Sequence, residues 1–358
     1  MGCALPGVRR PARHRTAGVV RGRRVTPDRV GVVVVNFSSH QLVGENLAAL
    51  EASGGDDPDL LAVVVDNFST AGEREAARRL CRDRGWEFVA APGNPGFGGG
   101  ADLGARRALQ AGCDVVVLLN PDARLDRSGV LRLAALCRGD HDLLVAPLVQ
   151  RPDGSVWSAG SRIDLATGRV GRAPQPFVSG PDRWLSGACL AIHRSGWQQL
   201  DGFGSGWFLY WEDVDLSRRW VDLGGTLLLA DDVTAVHDAG GTQEHAGTRR
   251  KSGLYYHYNC RNRLLWGARH LGTPALLRWV LRTPAESAAV LLRGGRRQIL
   301  ASPSVLWSTL TGTTRGLGIA VAELARRGVR TVLRRPAAPP AGGAGSGTRM
   351  RRTEEAAR

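Results

Sequence analysis

The sequence predicts an α/β fold with a mostly parallel, doubly wound sheet. Apolar, β-branched runs at 30–35, 60–65 and 114–119 read as strands buried on both faces. Segments with helical spacing separate them, and strands alternating with helices build a parallel sheet. A polar cluster closes each run, and in such sheets ligands bind beyond the carboxyl ends of the strands.

The first run ends in Asn36-Phe37-Ser38-Ser39, where Ser38 or Ser39 caps a helix carrying Leu42, Leu47 and Leu50. The second ends in Asp66-Asn67-Phe68-Ser69 and is followed by a helix over 72–84 and a short strand over 87–90. A glycine-dense loop at 93–100 leads into a helix over 101–111, and the next strand ends in Asn120-Pro121-Asp122. After 145 the pattern loosens, with short segments around Trp157, Ile163 and Trp184 and an apolar stretch at 185–192. The aromatic stretch 207–211 opens a helix ending near Gly224-Gly225, and a strand over 226–230 leads to Val236-His237. From Pro274 to about Arg330, arginine-bearing amphipathic helices are broken by Pro284 and Pro303.

The chain has 358 residues, 43% of them hydrophobic and 23% charged, so it can bury a sizeable core. Its net charge of +15 sits at the ends. Residues 1–30 hold eight arginines and one aspartate, 326–358 nine arginines and two glutamates, and 31–325 are near neutral. A near-neutral body without a reading motif excludes a sequence-specific nucleic-acid-binding protein. Residues 1–29 and 336–358 read as a disordered basic leader and tail, of a kind that attracts anionic lipid headgroups. The six cysteines show no C-x-x-C spacing and sit in apolar segments, which fits buried, reduced thiols in a cytoplasmic protein. No apolar signal-peptide core follows the N-terminal arginines, and no apolar run is long enough for a membrane span.

Three polar groups carry chemistry. Asp122, just past a buried strand, suits Mg2+ or Mn2+, although Asn-Pro-Asp alone is also a plain turn. Glu212, Asp213 and Asp215 open a helix beneath Trp207, Phe208, Tyr210 and Trp211. Capping explains one such carboxylate, whereas three among aromatic rings suit a general base with a raised pKa. His237 suits a metal shell or a diphosphate contact, or else is a satisfied structural histidine. The loop at 93–100 does not fit Gly-x-Gly-x-x-Gly in register and suits close approach of backbone to a ligand.

Taken in order over about residues 30–270, these segments resemble the family 2 glycosyltransferases of the GT-A fold, nearest to the bacterial rhamnosyltransferase-like branch. The resemblance rests on Val33-Val34-Val35-Asn36-Phe37-Ser38, Val65-Asp66-Asn67-Phe68-Ser69, Asn94 to Gly100, Leu119-Asn120-Pro121-Asp122 and Gly202-Phe203. It continues through Phe208 to Leu216, His237 with Gly240-Gly241, and Tyr256 with Arg261-Asn262. It implies a nucleotide-sugar donor (dTDP- or UDP-linked), a glycan or lipid-linked acceptor, and transfer with inversion, with rhamnose as the branch's sugar. Asp213 would be the catalytic base, and Asp122 and His237 would serve Mg2+ or Mn2+. Asn36, Asp66, Asn67, Gly96, Asn120 and Glu212 would bind substrate, Asp66 through the nucleobase. Gly204 stands where the family often has an acidic residue, and Asn120 where its metal motif often has a carboxylate.

The domains expected are a catalytic domain over 30–270 and a helical segment over 271–335. In that segment Trp279, Val280, Leu281, Leu291, Leu292, Leu306 and Trp307 beside Arg278, Arg282, Arg293, Arg296 and Arg297 have the composition of helices lying on an anionic membrane surface. The competing expectation is a helical cap packed on its own apolar stripe. A processive polysaccharide synthase is a poor alternative, because Leu216 stands where Gln-x-x-Arg-Trp needs its glutamine. A non-catalytic sugar-nucleotide-binding or scaffold protein of the same fold would lack Asp122 or Asp213, and both are present.

Overall fold

A computed structural model describes residues 28–51, 59–238 and 251–333. The chain forms two compact units. The first holds the described residues up to Asp164 and from Arg169 to Ser252. The second holds Leu165–Gly168 and the described residues from Gly253 onward, so residues 253–270 group with the C-terminal helices.

The first unit begins with β1 (Val30–Asn36), α1 (His40–Glu51), β2 (Leu60–Asp66), α2 (Ala71–Arg84), β3 (Glu87–Ala90), α3 (Gly96–Gln110) and β4 (Val115–Leu119). It continues with β5 (Ala123–Arg124), α4 (Arg127–Gly139), β6 (Leu143–Gln150), β7 (Val156–Ser158), β8 (Ser161–Ile163) and β9 (Val170–Arg172). Then follow β10 (Arg183–Trp184), β11 (Cys189–His193), α5 (Arg194–Leu200), α6 (Glu212–Asp222) and β12 (Thr226–His237). The main sheet has the order β3-β2-β1-β4-β11-β6-β12-β5, with β7 beside β6, and β10-β8-β9 form a small second sheet.

Every residue of β1 and β4 is buried, as their continuous apolar runs require. Val30, Val32 and Val34 pack with Val43, Leu47 and Leu133 on one face, while Val33 and Val35 meet Ala101, Ala105 and Leu216 on the other. Each such side chain contributes about 1.5–3 kcal/mol on full burial. The sheet is less parallel than its first half suggests. Strand β11 runs antiparallel to both β4 and β6. Strand β12 is more than twice as long as expected: the pairing with β6 shifts register between Ala230 and Thr234 and resumes as far as Val236.

The loop expected at 93–100 is largely helix, because α3 starts at Gly96. Its glycines let the helix lie directly on the strands. A Cβ on Gly104 would overlap the Val33 side chain, and one on Gly100 would press on Val35 and Asn67. The described cysteines 81, 113, 137, 189 and 260 are buried free thiols, and burial pushes the Cys81 thiol up to about 12.

The second unit comprises α7 (Gly253–His270), α8 (Thr273–Leu291), α9 (Arg296–Ala301) and α10 (Ser304–Leu333). Helix α10 lies tightly on α7, since a Cβ on Gly312 would overlap the backbone of His257 and one on Gly316 would sit 3.1 Å from Arg261. Trp279, expected among the membrane-facing residues, is instead fully buried. It stacks on Trp266 at 5.7 Å, lies 4.8 Å from the Arg263 guanidinium and donates to the Leu165 carbonyl at 2.8 Å. An indole with one polar group is cheaply buried once that group has a partner. Among the described residues no helix is long and apolar enough to cross a membrane.

Candidate active site

The carboxyl ends of β1, β2 and β4 deliver their polar clusters to the first unit's rim. Asn36 is fully buried; its Oδ1 accepts from the Ser39 N–H at 3.0 Å and its Nδ2 donates to Glu73 at 3.2 Å. That pins the turn out of β1, in which Ser38 takes a positive φ of 56° and Phe37 is exposed. Asp66 is fully buried at the end of β2, where its Oδ2 accepts from Arg74 Nε at 2.6 Å. Its Oδ1 has no partner. A buried carboxylate oxygen left open is costly unless a ligand donates to it. The same Arg74 lies 4.6 Å above the ring of Phe68, which is itself exposed. Asn67 donates to the Gly96 carbonyl at 2.8 Å, joining the β2 turn to the start of α3. Gly96 has φ of +82° and no room for a side chain, because a Cβ there would overlap the Phe208 carbonyl oxygen.

Beyond β4 the chain turns through Asn120, whose N–H donates to the Ala188 carbonyl at 2.9 Å. Asp122 then sits beside the short β5–β12 pairing, in which His237 lies opposite Ala123. This register brings His237 Nε2 to 3.0 Å from Asp122 Oδ1, both side chains being buried. Trp157 stands edge-on to the imidazole at 4.5 Å, and His237 Nδ1 has no partner. Gly240 and Gly241 lie outside the described residues.

The third arm is the start of α6. Tyr210 and Trp211 both take positive φ, 65° and 73°, which reverses the chain just before Glu212. Non-glycine residues in that region cost about 1–3 kcal/mol each and persist where the surroundings over-determine them. Asp213 Oδ2 accepts from the Gly187 N–H at 3.0 Å and its Oδ1 from the Val214 N–H at 2.9 Å. Glu212 is buried beside it, with Oε2 unpartnered. Burial pushes both carboxyls above their ordinary range, and the two backbone donors pull Asp213 back down. Asp213 therefore ionises first, and its charge drives Glu212 higher still. Asp215 serves the fold: it holds Arg219 at 2.8 Å, and Arg219 donates to the carbonyls of Leu200 and Gly202.

These arms connect. Gly187 binds Asp213 and the adjoining Ala188 binds Asn120, so the base candidate and the Asp122–His237 pair hang on neighbouring residues of one loop. On the other side, Asn67 binds Gly96, and Phe97 N–H donates to Phe208 O at 3.0 Å. Four contributors escaped the sequence: Gly187, Arg74, Glu73 and Trp157. Only Arg74 left a signal, a cation one helical turn into the segment after Asp66. Asp102 on α3 likewise carries no signal in the sequence. It accepts from the Phe203 N–H at 2.9 Å, and burial pushes its carboxyl up to about 6, so a carboxylate from α3 supports the turn that ends in Gly204.

No protein-family profile matches the chain. It is 28% identical over 284 residues to the N-acetylglucosaminyl-diphospho-decaprenol L-rhamnosyltransferase of Mycobacterium tuberculosis, covering 71% of this chain and 90% of that one. It is 22% identical over 250 residues to the low-salt glycan biosynthesis hexosyltransferase Agl10 of Haloferax volcanii, covering 66% and 75%. A mannosyltransferase from Pyrobaculum calidifontis, solved with GDP-Man and Mn2+, superposes with a TM-score of 0.49 at 19% identity, covering 83% of this chain and 87% of that one. A match covering 90% of a rhamnosyltransferase, with a hexosyltransferase matched over 75% of its length, makes this chain similar to the glycosyltransferases.

Proposed function

We propose that this protein moves L-rhamnose, with inversion, from a dTDP- or UDP-linked donor to a hydroxyl of a lipid-linked N-acetylglucosaminyl diphosphate. The observation that carries the chemistry is the Glu212–Asp213 pair. Two adjoining carboxyls with separated proton affinities supply one ionised base beside one protonated acid. Asp213 takes the acceptor hydroxyl proton, the freed oxygen attacks the anomeric carbon, and the sugar–phosphate C–O bond breaks. Its electron pair leaves with the nucleoside diphosphate, and attack opposite the leaving group inverts the anomeric centre. The sugar and acceptor follow the mycobacterial relative, whose name specifies both.

Asp66 and Arg74, with Phe68 beside them, form a polar and aromatic surface suited to a pyrimidine base. The residues present fit a divalent metal. Asp122 Oδ1 and His237 Nε2 are 3.0 Å apart, the spacing of adjacent donors each about 2.1 Å from one octahedral ion. Among the described residues no group of three or more His, Cys, Asp and Glu forms a metal site, so diphosphate oxygens would supply much of the coordination. Mg2+ or Mn2+ bound there would neutralise charge on the departing diphosphate.

The test is a donor screen. Nucleotide sugars are added with Mg2+ or Mn2+, and a matching donor at about 100 times its dissociation constant raises stability by ~2.7 kcal/mol. Turnover is then followed with a prenyl-diphosphate-linked N-acetylglucosamine, and the anomeric configuration of the product is read by NMR. Retention of configuration, or transfer to no lipid-linked acceptor, overturns the proposal.

A further inference from the structure

The helices of the second unit depart from the ordinary rule that solvent-facing positions are polar. On α8 the positions turned away from the core recur at helical spacing and carry Leu277 and Leu281, with Leu292 just past its end. On α10 the outward positions carry Trp307, Leu310 and Val321. Leu281 is 73% exposed and Trp307 68%. The inward faces are filled: Leu276, Trp279 and Val290 of α8 and Val305 and Ala320 of α10 are buried. The apolar stripes are therefore additional to the packing of the unit. Singly scattered exposed leucines need no explanation, but leucine and tryptophan repeated along two helices do.

The charges beside these stripes have one sign. Residues 253–333 contain twelve arginines and two glutamates. Both glutamates are engaged: Glu323 binds Arg326 and Arg327 at 2.5 and 2.7 Å, and Glu286 lies 3.8 Å from Arg282. Arg278 and Arg282 stand exposed along α8, Arg293 just past its end, and Arg315 along α10.

We infer that the outward faces of α8 and α10 seat this protein on an anionic phospholipid bilayer, lying on the surface without spanning it. Leucine and tryptophan side chains enter the boundary between headgroups and acyl chains, and flanking arginines meet the phosphates. Charge selects this occupant. A second copy would oppose arginine to arginine, and a nucleic acid would leave the leucines and Trp307 in water. The surface belongs to the second unit, so the inference stands apart from the sugar-transfer reading.

Full-length protein is co-sedimented with phosphatidylcholine vesicles containing about 30% phosphatidylglycerol, and with phosphatidylcholine alone, at low and high salt. The expected result is at least ~tenfold stronger partitioning to the anionic vesicles, weakened by salt. The Leu281→Glu/Trp307→Glu pair, with helical circular dichroism unchanged, loses at least ~tenfold of that binding. Arg278→Gln alone gives a smaller loss, seen only at low salt. Failure of the wild type to bind anionic vesicles, or equal binding to both compositions, overturns the inference. So does wild-type binding by the double variant, which would assign attachment to the basic chain ends. A wild-type dimer in sedimentation velocity that the double variant abolishes would give the surface to a second copy and overturn it too.

Discussion

Replacing Asp213 with asparagine keeps the shape of the side chain and removes the base. Loss of a general base costs roughly 10²–10⁴ in kcat, equivalent to about 2.7–5.5 kcal/mol of activation free energy. The structural cost is smaller and can be estimated separately. The carboxylate accepts from Gly187 N–H at 3.0 Å and from Val214 N–H at 2.9 Å. An asparagine side chain has one oxygen, so it satisfies one donor and turns its own NH2 towards the other. Losing a charge-assisted bond costs about 1.5–3 kcal/mol, and removing a carboxylate that burial disfavours returns part of that. A net loss of about 1–2 kcal/mol lowers Tm by roughly 2–8 °C in a domain of this size. The assay pairs steady-state release of nucleoside diphosphate with calorimetric binding of the nucleotide, which stays within about threefold of wild type if the base acts only on the acceptor. A folded Asp213→Asn protein whose kcat stays within about threefold of wild type refutes the assignment. In the wild type, activity rises with pH as Asp213 ionises, and its raised pKa places that rise above the ordinary carboxylate range.

Further predictions follow from the same geometry. Glu212→Gln mimics the protonated acid and retains activity near neutral pH. Because folding raises the Glu212 pKa above its ordinary 4.5, its contribution to stability is full below 4.5 and is lost as pH rises towards the folded value. Chemical denaturation between pH 5 and 9 would show that slope flattened in the variant, and an unchanged slope counts against a buried protonated Glu212. Asp122→Ala weakens nucleoside-diphosphate affinity in Mg2+ or Mn2+ and barely alters it in EDTA; equal losses in both identify a purely structural turn. Gly96→Ala, with φ of +82° and the Phe208 carbonyl in the way, destabilises by about 3 kcal/mol or more. A thermal melt matching wild type would mean that the Phe208 loop yields freely.

The strands nearest the site were legible because burial on both faces leaves an unbroken apolar run, as in β1, β2 and β4. Their polar ends were equally plain: Asn36, Asp66 and Asn120 to Asp122 each interrupt such a run. What the sequence hid depends on tertiary contact. Gly96 to Gly100 read as loop because glycine disfavours helix, yet close packing of α3 against Val33 and Val35 overrides that preference. The antiparallel direction of β11 leaves no trace in its composition. The strand expected over 226–230 runs on through Asp231 and Asp232, where its pairing slips, Asp232 reaching out to Arg132 at 2.8 Å. The Gly187 contact to Asp213 spans 26 residues and comes from a backbone N–H, which every residue type but proline offers.

Residues 165–168 make truncation at the unit boundary hazardous. These four residues lie between β8 and β9 in the chain yet belong to the second unit, within which Trp279 donates to Leu165 O and Arg263 to Thr167 O at 2.6 and 3.0 Å. Gly168 fits there because a side chain would press on Arg263 and Trp279. A protein ending at Ser252 therefore loses the donors that hold a hairpin it retains, at about 1 kcal/mol for each neutral bond and more for those from the guanidinium. Low activity in such a fragment would report a loosened hairpin as readily as a missing membrane contact, and point substitutions on the outward faces of α8 and α10 separate the two.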